Sequence, residues 1–167
     1  MTQFNKEEYI IFSVIITCCF LFHFDGLGYT IGSTWQRLTY SFAHAGLAHL
    51  FVNLISFLSL SLPLQRTPYI PLAFVCAVAA TFGTELYLPT VGLSGVCYAL
   101  LGFHAILSGR VLKIALSAAA YNGLLWLVSD RINIGVHILS FVYALIIAYI
   151  AESGINKKSM KQLYHRI

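Results

Sequence analysis

The feature that most constrains this chain is a series of six apolar runs parted by short polar breaks: Tyr9 to Phe24, Ala43 to Leu64, Tyr69 to Leu88, Ser94 to Leu107, Val111 to Val128 and Ile132 to Ala151. Runs with so little charge cannot fold as one-sided helices around a soluble core, because they need an apolar solvent on their outer faces as well. Composition leads to the same place: of 167 residues, 59% are hydrophobic and only 10% charged, too few charges to cover a water-soluble globule of this size. The expected fold is an all-α membrane protein, a bundle of six transmembrane helices. It forms a single domain over residues 1–167, with its core from about 9 to 151 and a short basic tail at 152–167. Several runs fall short of the ~20 residues that a full span usually needs, and the fourth is the shortest. The first run has no small-residue cleavage site and is followed by five more, so it reads as a retained span and not as a signal peptide.

Basic residues set the orientation. With the N-terminus in the cytoplasm, Lys6, Arg66, Arg110, Lys113, Lys157, Lys158, Lys161 and Arg166 fall inside, and only Arg37 and Arg131 outside. That asymmetry satisfies the positive-inside rule and puts both termini in the cytoplasm. The basic stretch from Asn156 to Ile167 reads as an anchor on anionic lipid and not as a nucleic-acid arm. Cys18, Cys19, Cys76 and Cys97 lie inside apolar runs with no metal-ligand spacing, so they are expected to fill space, with no disulfide framework, metal or cofactor.

In this orientation the second, fourth and sixth runs all travel from outside to inside. Ser94 precedes Arg110 by 16 residues, or ~24 Å of helix, and His137 precedes Glu152 by 15, or ~22 Å. His49 precedes Arg66 by 17, or ~25 Å. In a hydrocarbon core ~30 Å thick, three polar residues from three helices therefore meet several Å below the outer surface. Each alone has an ordinary explanation, a helix-capping serine or a histidine bonded across the bundle. Three at one depth point to a shared, water-filled pocket, because polar groups there are costly without partners. Asn53 follows His49 by four residues, and Tyr98 follows Ser94 by four, so each extends the same helical face one turn deeper.

This set of groups suits nucleophilic catalysis. A serine hydroxyl needs a base within hydrogen-bond reach, and the imidazole of His137 can take its proton and later return it to a leaving amine. Side chains of His49 and Asn53, with the backbone N–H of Ser94, can supply donors to a developing oxyanion. Gly92 and Gly95 permit a tight turn and a close approach of substrate backbone.

The same residues carry a family resemblance. "HAGLAHLFVN" has a His-x4-His-x3-Asn pattern, "GLSGVCYAL" a Gly-x-Ser-Gly-x-x-Tyr-Ala pattern, and His137 heads the sixth run. In that order they resemble the rhomboid intramembrane serine proteases over nearly the whole chain, roughly Trp35 to Ala151. The resemblance implies a six-helix rhomboid-like bundle in the inner (plasma) membrane of a bacterium. It makes Ser94 and His137 a catalytic dyad, His49 and Asn53 the oxyanion hole, His44 a supporting outer histidine, and Tyr98 a ring beside His137. Gly95, Ala99 and Gly102 on the fourth helix, and Ser140, Ala144 and Ala148 on the sixth, form facing small-residue stripes of the kind that let backbones approach. The chain departs from the family where a Trp-Arg pair is common, since Trp35 is followed by Gln36 and only then Arg37. It departs again at Val136, Ser140 and Ala144, where many members carry Ala-His-x-x-Gly-x-x-x-Gly.

The partners expected are single-span membrane protein substrates in the lipid bilayer, cut near the outer face at small residues in helix-weak segments. Short length is also similar to the rhombosortase branch, which processes C-terminal Gly-Gly tail signals and is the runner-up substrate class. No His-Glu-x-x-His occurs, against a zinc protease, and Asp25 and Asp130 sit in loops, against an aspartyl pair. A transporter using Glu85 and Glu152, or an inactive chaperone of the same fold, is the remaining alternative. Asp130 is given no catalytic role, so the expected centre has two members.

Overall fold

The computed structural model describes residues 6–22, 34–64, 68–84, 90–128 and 132–154. Each of the six apolar runs carries a helix: α1 (Lys6–Phe22), α3 (Leu47–Ser61), α4 (Tyr69–Ala80), α5 (Ser94–Leu107), α6 (Val111–Val128) and α7 (Ile134–Gly154). A short α2 (Gln36–Thr39) and a 3-10 turn (Tyr40–Phe42) lie between α1 and α3, and a second 3-10 turn (Leu62–Leu64) prolongs α3. Among the described residues there is no β-strand beyond an isolated bridge at Thr90. Helix is the form that satisfies every backbone group of such runs within one segment.

The limits of α5 and α6 coincide with their apolar runs, and the others differ for local reasons. Helix α1 begins at Lys6 and not at Tyr9, because Lys6, Glu7 and Glu8 are good helix formers. Helix α3 begins at Leu47 and not at Ala43: Ala43 is extended (φ −78°, ψ 146°), as is Gly46, so His44 precedes the helix. Helix α4 stops at Ala80, short of the expected Leu88. There the Thr81 hydroxyl donates to the Val78 carbonyl at 2.6 Å, and the N–H groups of Phe82 and Gly83 turn back onto Ala79 and Ala80. Helix α7 starts at Ile134 because Asn133 caps it, its Oδ1 accepting the Val136 N–H at 3.1 Å. Readings that rest on Asp25, Arg66, Glu85, Asp130, Arg131 or the tail beyond Gly154 lie outside the described residues.

Helix α5 is the hub, touching α3, α4, α6 and α7 and packing most extensively on α7. Its Val96, Ala99, Leu100 and Phe103 join Leu50 and Phe57 of α3, Ala73 and Ala77 of α4, and Val136, Ala144 and Ala148 of α7 in one core. A Cβ at Gly102 would stand 2.6 Å from the Phe141 carbonyl oxygen and 2.8 Å from Ala144 Cβ, so α5 and α7 meet backbone to backbone. Outer faces are apolar too: Ile55, Leu112, Leu124, Trp126, Leu127 and Ile150 are exposed. A surface of that kind fits lipid and not water. Among the described residues, Leu47–Leu64 and Ile134–Ser153 are long and apolar enough to cross a membrane by length and composition. The apolar stretches Phe12–Leu21, Tyr69–Ala80, Ser94–Leu107 and Val111–Leu127 are shorter.

Candidate active site

Ser94 is the first residue of α5, where the leading N–H groups of a helix have no intrahelical acceptor. The turn that delivers it passes through Gly92, whose φ of +102° lies in a region that favours glycine. That turn is held from two sides. The Tyr40 carbonyl accepts the Gly92 N–H at 2.9 Å, while the buried Tyr40 hydroxyl donates to the Ala77 carbonyl at 3.0 Å, tying the 3-10 turn to α4. On the other side the Asn133 amide donates to Thr90 Oγ1 at 2.9 Å, so the cap of α7 is bonded to the approach of α5. Neither Tyr40 nor Asn133 stood out in the sequence as part of a site.

This clamp brings the side chains of two helices together. Ser94 Oγ lies 2.9 Å from Nε2 of His137, which is buried. The Tyr98 ring stacks on the imidazole at 4.4 Å between centroids and 11° between planes. On the far edge of the same ring, Nδ1 lies 2.9 Å from Oδ1 of Asn122 on α6. The expected two-member centre therefore has a third contact that sequence reasoning missed. The available signal was a lone carboxamide inside an apolar run, which at membrane depth needs a partner.

Across the turn lie the other expected residues. His49 Nδ1 accepts the Ala45 N–H at 3.3 Å, which leaves its hydrogen on Nε2. Asn53 Nδ2 donates to the His49 carbonyl at 3.0 Å, using one of its two N–H groups. Both face Gly92: a Cβ there would stand 3.1 Å from His49 Nε2 and 3.2 Å from Asn53 Nδ2, so the missing side chain keeps a donor-lined space open. Gly95 serves packing, since its Cβ would meet the Tyr40 hydroxyl at 2.7 Å and Val136 at 3.1 Å. His44 is buried, donates from Nδ1 to the Phe42 carbonyl at 3.1 Å and packs edge-on to His49 at 5.3 Å. The displaced Arg37 still anchors its segment, donating to the Thr81 carbonyl and lying 4.2 Å above the Phe82 ring.

Residues 31–154 match the Rhomboid domain. The chain belongs to the rhomboid family. Rhomboids are integral membrane proteins, and the apolar outer surfaces of α6 and α7 are consistent with that setting. One relative is the human Rhomboid-related protein 3, 36% identical over an alignment 77 residues long that covers 42% of this chain and 19% of that protein. The chain thus aligns with about a fifth of that relative's length. The matched domain runs from before Trp35 to the end of α7, and so includes every residue of the site described above.

Proposed function

We propose that this rhomboid is an intramembrane serine endopeptidase, with Ser94 as nucleophile and His137 as general base. The observation that carries the reading is the 2.9 Å contact of Ser94 Oγ with His137 Nε2, inside the reach that proton transfer needs. As Oγ attacks a peptide carbonyl, Nε2 takes its proton, and a tetrahedral oxyanion forms. The His49 Nε2–H, the second amide N–H of Asn53 and the Ser94 backbone N–H are the donors to that charge. Collapse of the intermediate expels the amine, which takes the proton from His137, and water repeats the sequence to free the acyl group.

The six helices act as six spans with both termini cytoplasmic, in a bacterial inner membrane, and the residues from 1 to 167 work as one domain. The site then lies several Å below the outer surface. A substrate helix must unwind to present an extended bond there, which exposes backbone groups in lipid. Single-span proteins with Gly or Pro near the outer end of the span, cut at a small residue, are the fitting substrates.

Labelling with a serine-directed fluorophosphonate tests the nucleophile. The native chain is labelled and Ser94→Ala is not; equal labelling of both would remove the protease reading. Mass spectrometry of products then fixes the specificity. Cuts confined to C-terminal Gly-Gly tail signals would favour processing of the rhombosortase kind, and cuts at the cytoplasmic end would contradict the depth assigned to Ser94.

A further inference from the structure

Asn122 is 6% exposed on a helix whose other side chains are largely outward. Its amide nitrogen donates to the Ala118 carbonyl one turn back at 3.1 Å, which fixes the oxygen as the end that faces His137. That oxygen lies 2.9 Å from Nδ1 and can only accept, so the ring hydrogen must be on Nδ1. A neutral imidazole has one N–H and one lone pair. With the hydrogen on Nδ1, the lone pair falls on Nε2, 2.9 Å from the Ser94 hydroxyl. The other tautomer would set two lone pairs against each other at Nδ1 and Oδ1 and lose a buried hydrogen bond.

We propose that Asn122 is the positioning residue of the serine–histidine pair, holding His137 in the tautomer and rotation that aim the Nε2 lone pair at Ser94. This rests on the reading of Ser94 and His137 as the reacting groups. Stacking on Tyr98 fixes the plane of the imidazole but leaves it free to turn within that plane. In-plane hydrogen bonds at opposite edges, to Ser94 and Asn122, remove that freedom. Soluble serine proteases place a carboxylate at this point. A carboxylate inside a bilayer carries a desolvation cost that a neutral amide avoids. Beside the Asn122–His137 bond is a crevice of about 610 Å³ walled by Ala115, Ala118, Trp126, Ile138 and Phe141. Its polar groups are the Tyr98 hydroxyl, the Trp126 indole N–H and the Asn122 amide, and of these the Asn122 oxygen is the one at hydrogen-bond distance from Nδ1. Once His137 has taken the serine proton both ring nitrogens donate, and Oδ1 continues to accept from Nδ1.

The test uses the full chain in detergent, with Asn122→Ala and Asn122→Asp compared with wild type. Three quantities are read: the fluorophosphonate labelling rate, kcat and KM on a single-span substrate, and the 15N NMR signals of the His137 ring. A charged third member can be worth about 10,000-fold; for a neutral amide, Asn122→Ala should lower kcat and labelling by about 10- to 100-fold with KM little changed. The ring signals should shift from the Nδ1–H form to a mixture. Asn122→Asp, which keeps an acceptor oxygen at the same reach, should restore the Nδ1–H form and most of the rate. Unchanged kcat and tautomer in Asn122→Ala, or lower stability with neither affected, would overturn the proposal. If Asn122→Ala does not fold, the wild-type spectrum decides, since an Nε2–H ring would overturn it. Absence of labelling in a wild-type chain that keeps the Nδ1–H signal would instead overturn the protease reading, and leave only the tautomer contact.

Discussion

Helices α5 and α6 follow one another in the chain, and both are predominantly apolar, yet they are held in opposite ways. Of the 14 residues of α5, nine are buried. In the 18-residue α6, Asn122 alone is buried among the described side chains, while Trp126 is 68% and Leu127 75% exposed. Hydrophobicity does not separate them, because the two sequences are almost equally apolar. In lipid the solvent is as apolar as leucine, and packing decides which helix is enclosed. Gly95, Ala99 and Gly102 let α5 come close to its neighbours, whereas α6 turns Leu112, Leu116 and Leu124 outward. Chemistry divides along the same line. The serine heads the helix that four others enclose, and the amide facing His137 is on a helix with little protein around it.

The largest expected effect is at the head of α5. Gly92→Ala adds a methyl 2.8 Å from His49 Cε1 and 3.2 Å from Asn53 Nδ2, on a backbone with φ of +102°. Loss of one oxyanion donor slows serine hydrolases by roughly 100- to 1,000-fold. Because this methyl obstructs two, kcat should fall by at least about 1,000-fold, with a smaller stability loss of about 1–2 kcal/mol from the left-handed backbone. Turnover and thermal unfolding measured on one preparation check it. Activity within tenfold of wild type would mean that the space beside Gly92 is not where the oxyanion forms.

A second pair sets side chains of the two helices against each other. Phe103 of α5 is fully buried and stacks on Tyr69 at 4.5 Å. Phe103→Ala should cost about 2–3 kcal/mol, at the low end for a buried ring because lipid removes most of the transfer term and leaves the cavity. Leu127→Ala, on the lipid face of α6, should stay within about 0.5 kcal/mol. Unfolding in mixed micelles compares the two, and equal losses would break the contrast between the helices.

Sequence alone reads the parts of this molecule that depend on one-dimensional spacing. The apolar runs locate all six long helices, and the depth count from Arg110 and Glu152 puts Ser94 and His137 level. What it misses depends on rotation and on short polar contacts. Asn122 is not legible as a partner of His137 because the residues lie 15 apart on different helices, and nothing in an apolar run says which face turns inward. The end of α4 at Ala80 is hidden in the same way, since Thr81 and Phe82 are apolar enough to continue the run. The helical turns over 36–42 are too short for periodicity to register. They matter because Tyr40 holds Gly92, and so sets where α5 begins.

Between these extremes lies the contact of α5 with α7. Gly102→Ala would drive a Cβ to 2.6 Å from the Phe141 carbonyl oxygen, a backbone atom that cannot rotate away. The helices must part by a fraction of an ångström, at a cost of about 1–3 kcal/mol. Because Ser94 and His137 ride on these two helices, activity should fall together with stability. A stable Gly102→Ala protein with unchanged turnover would show that the small-residue stripe is not what sets the spacing of the pair.

The smallest effect has the opposite sign. Gly123 lies in the middle of α6, and a Cβ there would meet nothing within 4 Å. Alanine removes the backbone freedom that makes glycine unfavourable within a helix, so Gly123→Ala should stabilise the protein by about 0.5–1 kcal/mol. The same one-methyl change thus destabilises α5 and stabilises α6, which is the contrast between the two helices reduced to a single atom. Gly123 also follows Asn122 directly, and this sharpens what the variant can report. If the amide only needs to be held still, stiffening the helix beside it leaves kcat unchanged or slightly raised. A protein that gains stability and loses turnover would instead require α6 to bend at this point during the reaction, so that the contact with His137 is made or released as the substrate enters.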